Sequence, residues 1–181
     1  MEYKMKKLIL GSAILAVLGV ASSAMAAPNT GTVNFTGSVT TATCDLALKD
    51  NTGGDISNVY LGALSNTATA NGTAVQFKLV PQDAGCLGKT AANVAWSSST
   101  LGQAGISNAA TGGTNAYLLI AATNATQKGS DAIIKQGTTS FDYNIAGGIK
   151  SFDYNAALAK PAAALTAGQF NASASYIVTY K

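Results

Sequence analysis

The sequence predicts an all-β protein folded as a two-sheet sandwich. Three observations predict it. Apolar and polar residues alternate with period two in many short segments, as half-buried strands require. Turn residues separate those segments at fairly even spacing, the pattern of a sandwich. The chain is 48% hydrophobic and only 10% charged, with no histidine, the opposite of the apolar-poor, highly charged composition of disordered chains.

The strands are expected in this order. In 32–39, Val33, Phe35, Gly37 and Val39 share one face. A second segment, 56–61, ends at Leu61-Gly62. In 74–80, Val75, Phe77 and Leu79 alternate with polar residues before Pro81 stops the run. Segment 92–96 puts Val94 with Trp96. The short apolar run 117–122 reads as a strand buried on both faces. Segments 141–145 and 149–157 follow, and Ser-Phe-Asp-Tyr-Asn occurs in both regions, at 140–144 and again at 151–155. One repetition is no solenoid; it reads as two similar strands whose aromatics face a shared core. No stretch after the leader has a helical period, although 156–165 suits a short turn around Pro161. The last segment, 168–181, is the longest alternation: Gly168, Phe170, Ala172, Ala174, Tyr176, Val178 and Tyr180 on one side, with Ile177 breaking an otherwise polar other side.

The N-terminus has the make-up of a secretory leader. Lys4, Lys6 and Lys7 precede an apolar stretch over 8–20, and Ala24-Met25-Ala26 fits a cleavage site. We therefore divide the chain into a leader, 1–26, a strand-like arm, 27–40, and one domain, 41–181. The formal net charge of +3 is mostly the leader's. Removing its three lysines and Glu2 leaves lysines and aspartates nearly balanced. Arginine is absent, which removes the bidentate contacts typical of nucleic-acid recognition. Nucleic acid is not an expected partner.

Export places Cys44 and Cys86 in an oxidising compartment, where one intramolecular disulfide is expected over two free buried thiols. Closing a loop of roughly forty residues, it is worth ~4 kcal/mol in the chain-entropy account. Catalysis has little to work with. Without histidine the Ser-His and Cys-His arrangements are gone. Asp142 and Asp153, equivalent in the repeat, are the one candidate carboxylate pair, and such aspartates more often sit on solvated strand faces. Metal spacings are missing, and Gly53-Gly54 and Gly112-Gly113 are turn glycines rather than phosphate cradles. The expectation is neither an enzyme nor a cofactor protein.

Assembly has more to work with. An alternating arm opens the exported chain and an alternating strand closes it. In an immunoglobulin-like sandwich a further strand would normally follow this last one. Its edge is then an open apolar groove, which invites a partner strand. The leader, the arm segment 31–37, Cys44 shortly after it, Cys86, Gly168 and the penultimate Tyr180 recur in an order and spacing that resemble the major subunits of chaperone–usher fimbriae. The arm, the segments around Leu79 and Trp96, and 151–154 are most similar to the thin, sialoglycolipid-binding fimbriae of enterotoxigenic enteric bacteria.

The resemblance implies an incomplete immunoglobulin-like sandwich lacking its last strand, completed by donor-strand complementation. A periplasmic chaperone lends the strand until the outer-membrane usher exchanges it for the arm of the next subunit. Carried onto this chain, Val33, Phe35, Gly37 and Val39 are the donor residues, with Gly37 filling a shallow pocket. Gly168, Phe170, Tyr176, Val178, Tyr180 and Lys181 form the acceptor groove and chaperone contact, the terminal carboxylate of Lys181 being the anchor. The implied product is a head-to-tail filament on the bacterial surface supporting adhesion. The alternative is a major subunit that is itself a lectin for host glycolipid, with Lys128, Lys135 and Lys150 attracting sialate carboxylates. Lysines at strand edges more often block aggregation.

Overall fold

The computed structural model describes residues 31–37 as backbone and 44–181 in full. The leader, its cleavage site and Val39 lie outside the described residues, as do the side chains of Val33 and Phe35. Among the described residues ten strands form: β1 Gly31–Gly37, β2 Leu46–Asp50, β3 Asn58–Tyr60, β4 Val75–Pro81, β5 Ala91–Ser97, β6 Ile106–Ser107, β7 Tyr117–Ala122, β8 Ser140–Asn144, β9 Phe152–Ala159 and β10 Phe170–Tyr180. One sheet has the order β3-β1-β10-β5-β8, the other β2-β4-β9-β7-β6. The fold is all-β and immunoglobulin-like.

Period-two patterning builds the core. On β10, Phe170, Ala172, Ala174, Tyr176 and Val178 are buried and the residues between them exposed. Ile177 stays on the outer side, 44% exposed, so the register follows the inner row and leaves one apolar residue in water. Ala92, Val94 and Trp96 of β5 continue this inner face. Phe77 and Leu79 of β4 and Phe152, Tyr154, Ala156 and Leu158 of β9 meet it from the second sheet. Each large side chain in this layer contributes about 1.5–3 kcal/mol of burial.

The doubled pentapeptide becomes β8 and β9, one in each sheet. Phe141 and Tyr143 point in from one side, Phe152 and Tyr154 from the other, and the Tyr143 and Tyr154 hydroxyls bond at 2.7 Å. Trp96 Nε1–H donates to the Tyr154 hydroxyl oxygen at 3.2 Å. Phe77 stacks on Tyr154 with ring centres 5.2 Å apart, and Trp96 meets Tyr154 edge-on at 5.1 Å. The polar tips of Trp96, Tyr143 and Tyr154 are thus paired with one another, which offsets the cost of burying them.

Four expectations differ from the fold. The run 117–122 is not buried on both faces: Leu118, Ile120 and Ala122 are inside, while Tyr117, Leu119 and Ala121 are only half-buried. That outer row lies beside Ala159, Ala157 and Asn155 of β9, small neighbours that shield it sideways. Of 156–165, the first four residues extend β9 instead of turning. Two strands escaped the sequence, β2 and the two-residue β6. A single helical turn, α1 Ala84–Leu87, carries Cys86 into the interior.

Candidate assembly groove

β10 is the element around which the site is built. Its C-terminal half pairs antiparallel with β5, from Ser175↔Ser97 to Tyr180↔Ala92, and Lys181 N–H donates to Ala91 O at 2.9 Å. Among the described residues its N-terminal half has no strand on that side and is held by a loop instead. Asn108 does most of the holding. Its side-chain N–H groups donate to Thr114 O at 2.8 Å and Gln169 O at 2.7 Å. Its oxygen accepts from Ala110 N–H at 2.9 Å and Asn171 N–H at 2.8 Å. All four bonding positions of the amide are filled. Ala109 N–H donates to Asn171 O at 2.8 Å, and Ser98 Oγ donates to Ser173 O at 2.7 Å.

Gly168 begins this seam. Its φ is +154°, and a Cβ there would lie 2.7 Å from the Gly113 carbonyl carbon and from Thr114 N. The glycine that the sequence marks by position is therefore required by close backbone approach.

The opposite edge of β10 faces β3, and β1 lies between them. β1 runs parallel to β10, from Gly31↔Phe170 to Gly37↔Tyr176, and antiparallel to β3, from Thr32↔Tyr60 to Asn34↔Asn58. Without β1 this slot would be walled by the inner row of β10 on one side and by β3, with buried Val59, on the other. Gly37 brings a position with no side chain beside Tyr176.

Of the residues expected in the groove, Phe170, Tyr176 and Val178 share the inner row, and Tyr180 is half-buried at its end. Tyr176 sits 5.5 Å from the Trp96 ring and Tyr180 6.1 Å from the Phe152 ring. Burial raises the Tyr176 hydroxyl pKa. Burial, with Asp83 and Tyr176 nearby, pushes Tyr180 up to about 12. Its hydroxyl is buried and has no hydrogen-bond partner among the described residues. Lys181 reaches sideways to Asp142 at 3.3 Å, an exposed pair of the kind that adds little to stability.

The disulfide is present between Cys44 and Cys86, both buried. It sits near the C-terminal end of β10. Lys89 N–H bonds Cys86 O, Asp45 N–H bonds the Asp83 carboxylate, and Asp83 acts electrostatically on Tyr180.

The aspartates of the repeat do not form a pair. Asp142 on β8 accepts from Asn93, Lys181 and Gln127, which hold its pKa below the usual carboxylate value. Asp153 on β9, in the other sheet, accepts from Ser151 Oγ. The three lysines considered for sugar binding engage separate places. Lys128 Nζ reaches Thr123 O, Lys150 Nζ reaches Leu87 O, and the Lys135 backbone closes a turn with Thr138. Among the described residues no group of three or more Cys, Asp or Glu is placed to hold a metal ion, and no helix is long and apolar enough to cross a membrane.

Sequence reasoning missed Asn108. Its partners Gln169 and Asn171 lie some sixty positions away, and nothing local marks an asparagine as their clamp.

No protein-family model matches the chain. Comparison with curated proteins finds the K99 fimbrial protein of Escherichia coli, 37% identical over 165 residues, covering 86% of this chain and 89% of that one. An alignment of that identity over nearly the whole of both chains, joined to an all-β sandwich closed by the Cys44–Cys86 bridge, shows that this protein belongs to the family of K99-like fimbrial subunits.

Proposed function

We propose that this subunit polymerises head to tail by donor-strand exchange. The arm over 27–40 of one copy completes the sandwich 41–181 of the next along β10. The carrying observation is the slot between β3 and β10: no strand of the domain itself enters it, and the arm strand β1 is what fills it. An empty slot would bare one flank of the inner row of β10 and leave the backbone groups of its outer edge without partners, an edge that recruits another strand. Val33, Phe35, Gly37 and Val39 are the donor positions. Gly168, Phe170, Tyr176, Val178, Tyr180 and Lys181 belong to the acceptor and to the surface offered to a periplasmic chaperone before transfer at an outer-membrane usher. The product is a filament outside the cell that supports adhesion.

The test is a gel of surface-sheared protein with and without boiling, comparing wild type with Gly37→Arg. The expected result is a ladder of SDS-resistant multimers that collapses on boiling and is missing in the variant. Monomer in both samples would overturn polymerisation; a ladder in both would show that Gly37 does not sit in the pocket.

A further inference from the structure

The arm lies beside β10 of its own chain, and it does so in the parallel sense. Every other strand pair among the described residues is antiparallel. Parallel pairing is slightly weaker per residue and is not joined by short connections in ordinary folds. The direction has a geometric cause. The arm is rooted at Cys44, which the disulfide fixes near the Tyr180 end of β10. Seven Cα steps separate Gly37 from Cys44, a reach of at most ~24 Å. With Gly37 beside Tyr176, the root is about five residues of strand away, ~17 Å. Turned round over the same stretch of β10, Gly37 would lie beside Phe170, ~35 Å from the root and out of reach. An arm filling its own groove over that stretch therefore runs parallel, whereas the arm of a second copy has no such tether and is free to run antiparallel.

We propose that the unassembled subunit caps its own groove with its own arm, and that this parallel, self-capped form is closed to assembly until the arm is withdrawn. The inference rests on the donor-strand reading, because it makes one segment serve both as plug and as donor. The self-capped chain hides the inner row of β10 while it is alone, which suppresses aggregation. It also removes the donor and the acceptor from the polymerising pool together. Release is favoured when an untethered strand offers antiparallel pairing in exchange.

The experiment uses the mature chain refolded at low concentration with two added cysteines, Thr36→Cys and Ser175→Cys, a pair aligned in the parallel register. Oxidation is expected to give a monomer with an intrachain bond between the two introduced positions, identified by peptide mass. That locked chain is expected to vanish from the boiling-sensitive ladder and to return to it under mild reductant, which spares the buried native bridge. Absence of the intrachain bond, with the wild-type ladder still lost in Gly37→Arg, overturns self-capping and leaves donor-strand exchange standing. A locked chain that still forms the ladder overturns both. Asn34→Cys with Ser173→Cys repeats the test at a second aligned pair should the first variant misfold.

Discussion

At Gly168 the chain turns into β10 so close to Gly113 and Thr114 that their backbone fills the place a Cβ would take. Any side chain there meets backbone, which cannot swing aside as a flexible side-chain tip can. Gly168→Ala is expected to destabilise the domain by roughly 2–3 kcal/mol, from a positive φ and from overpacking together. A urea titration reads this as a lowered midpoint at unchanged slope. A midpoint within error of wild type would mean that the loop 108–114 yields easily, and that Asn108 does not pin it. The sequence pointed to Gly168 by its place ahead of the final strand, but it held no trace of Gly113 as the cause. That contact joins residues more than fifty positions apart, and periodicity carries no information about it. Asn108 was invisible for the same reason. Trp96 and Tyr154 were legible as core residues, yet their shared hydrogen bond was not, since it needs the spacing between the two sheets.

Among the elements, β4, β5, β8, β9 and β10 were legible because each alternates over at least four residues with turn residues beyond. β2 was missed because its residues are all half-buried, so no clean face appears. β6 is two residues long and exists through its pairing with β7. The tyrosines of β8, β9 and β10 give these strands a shared response to alkali. Burial holds the hydroxyls of Tyr143, Tyr154 and Tyr176 above their ordinary value and pushes Tyr180 up to about 12. Unfolded tyrosine titrates near ~10. Above that pH the folded chain binds more protons than the unfolded one, so stability falls as pH rises. The contribution of Tyr180 is complete below pH ~10 and is lost between about 10 and 12. Urea midpoints followed across that interval are expected to decline, and Tyr180→Phe is expected to make the decline shallower. An identical slope in the variant would show that its hydroxyl is not held neutral by the fold.

For the whole molecule, the all-β sandwich and the Cys44–Cys86 bridge were legible, one from alternation and the other from an exported chain with two cysteines. The placing of the arm between β3 and β10 was not, because nothing in a strand's own sequence says which edge it joins or in which direction. The bridge also has a mechanical consequence. A pull on the arm enters the fold at Cys44 and crosses at once to Cys86, so the segment between them is shunted out of the line of force. The two cysteines are 42 positions apart. Stretched one molecule at a time, the oxidised domain is expected to fall short of the reduced one in released length by about 140 Å. Equal lengths would mean that the bridge is not closed in the stretched molecule. Strands β2, β3 and β4 lie within this protected loop. Strain borne by a filament would then reach one wall of the groove, β10, while bypassing the covalent path through the other, β3: a slot in which a single side carries the load.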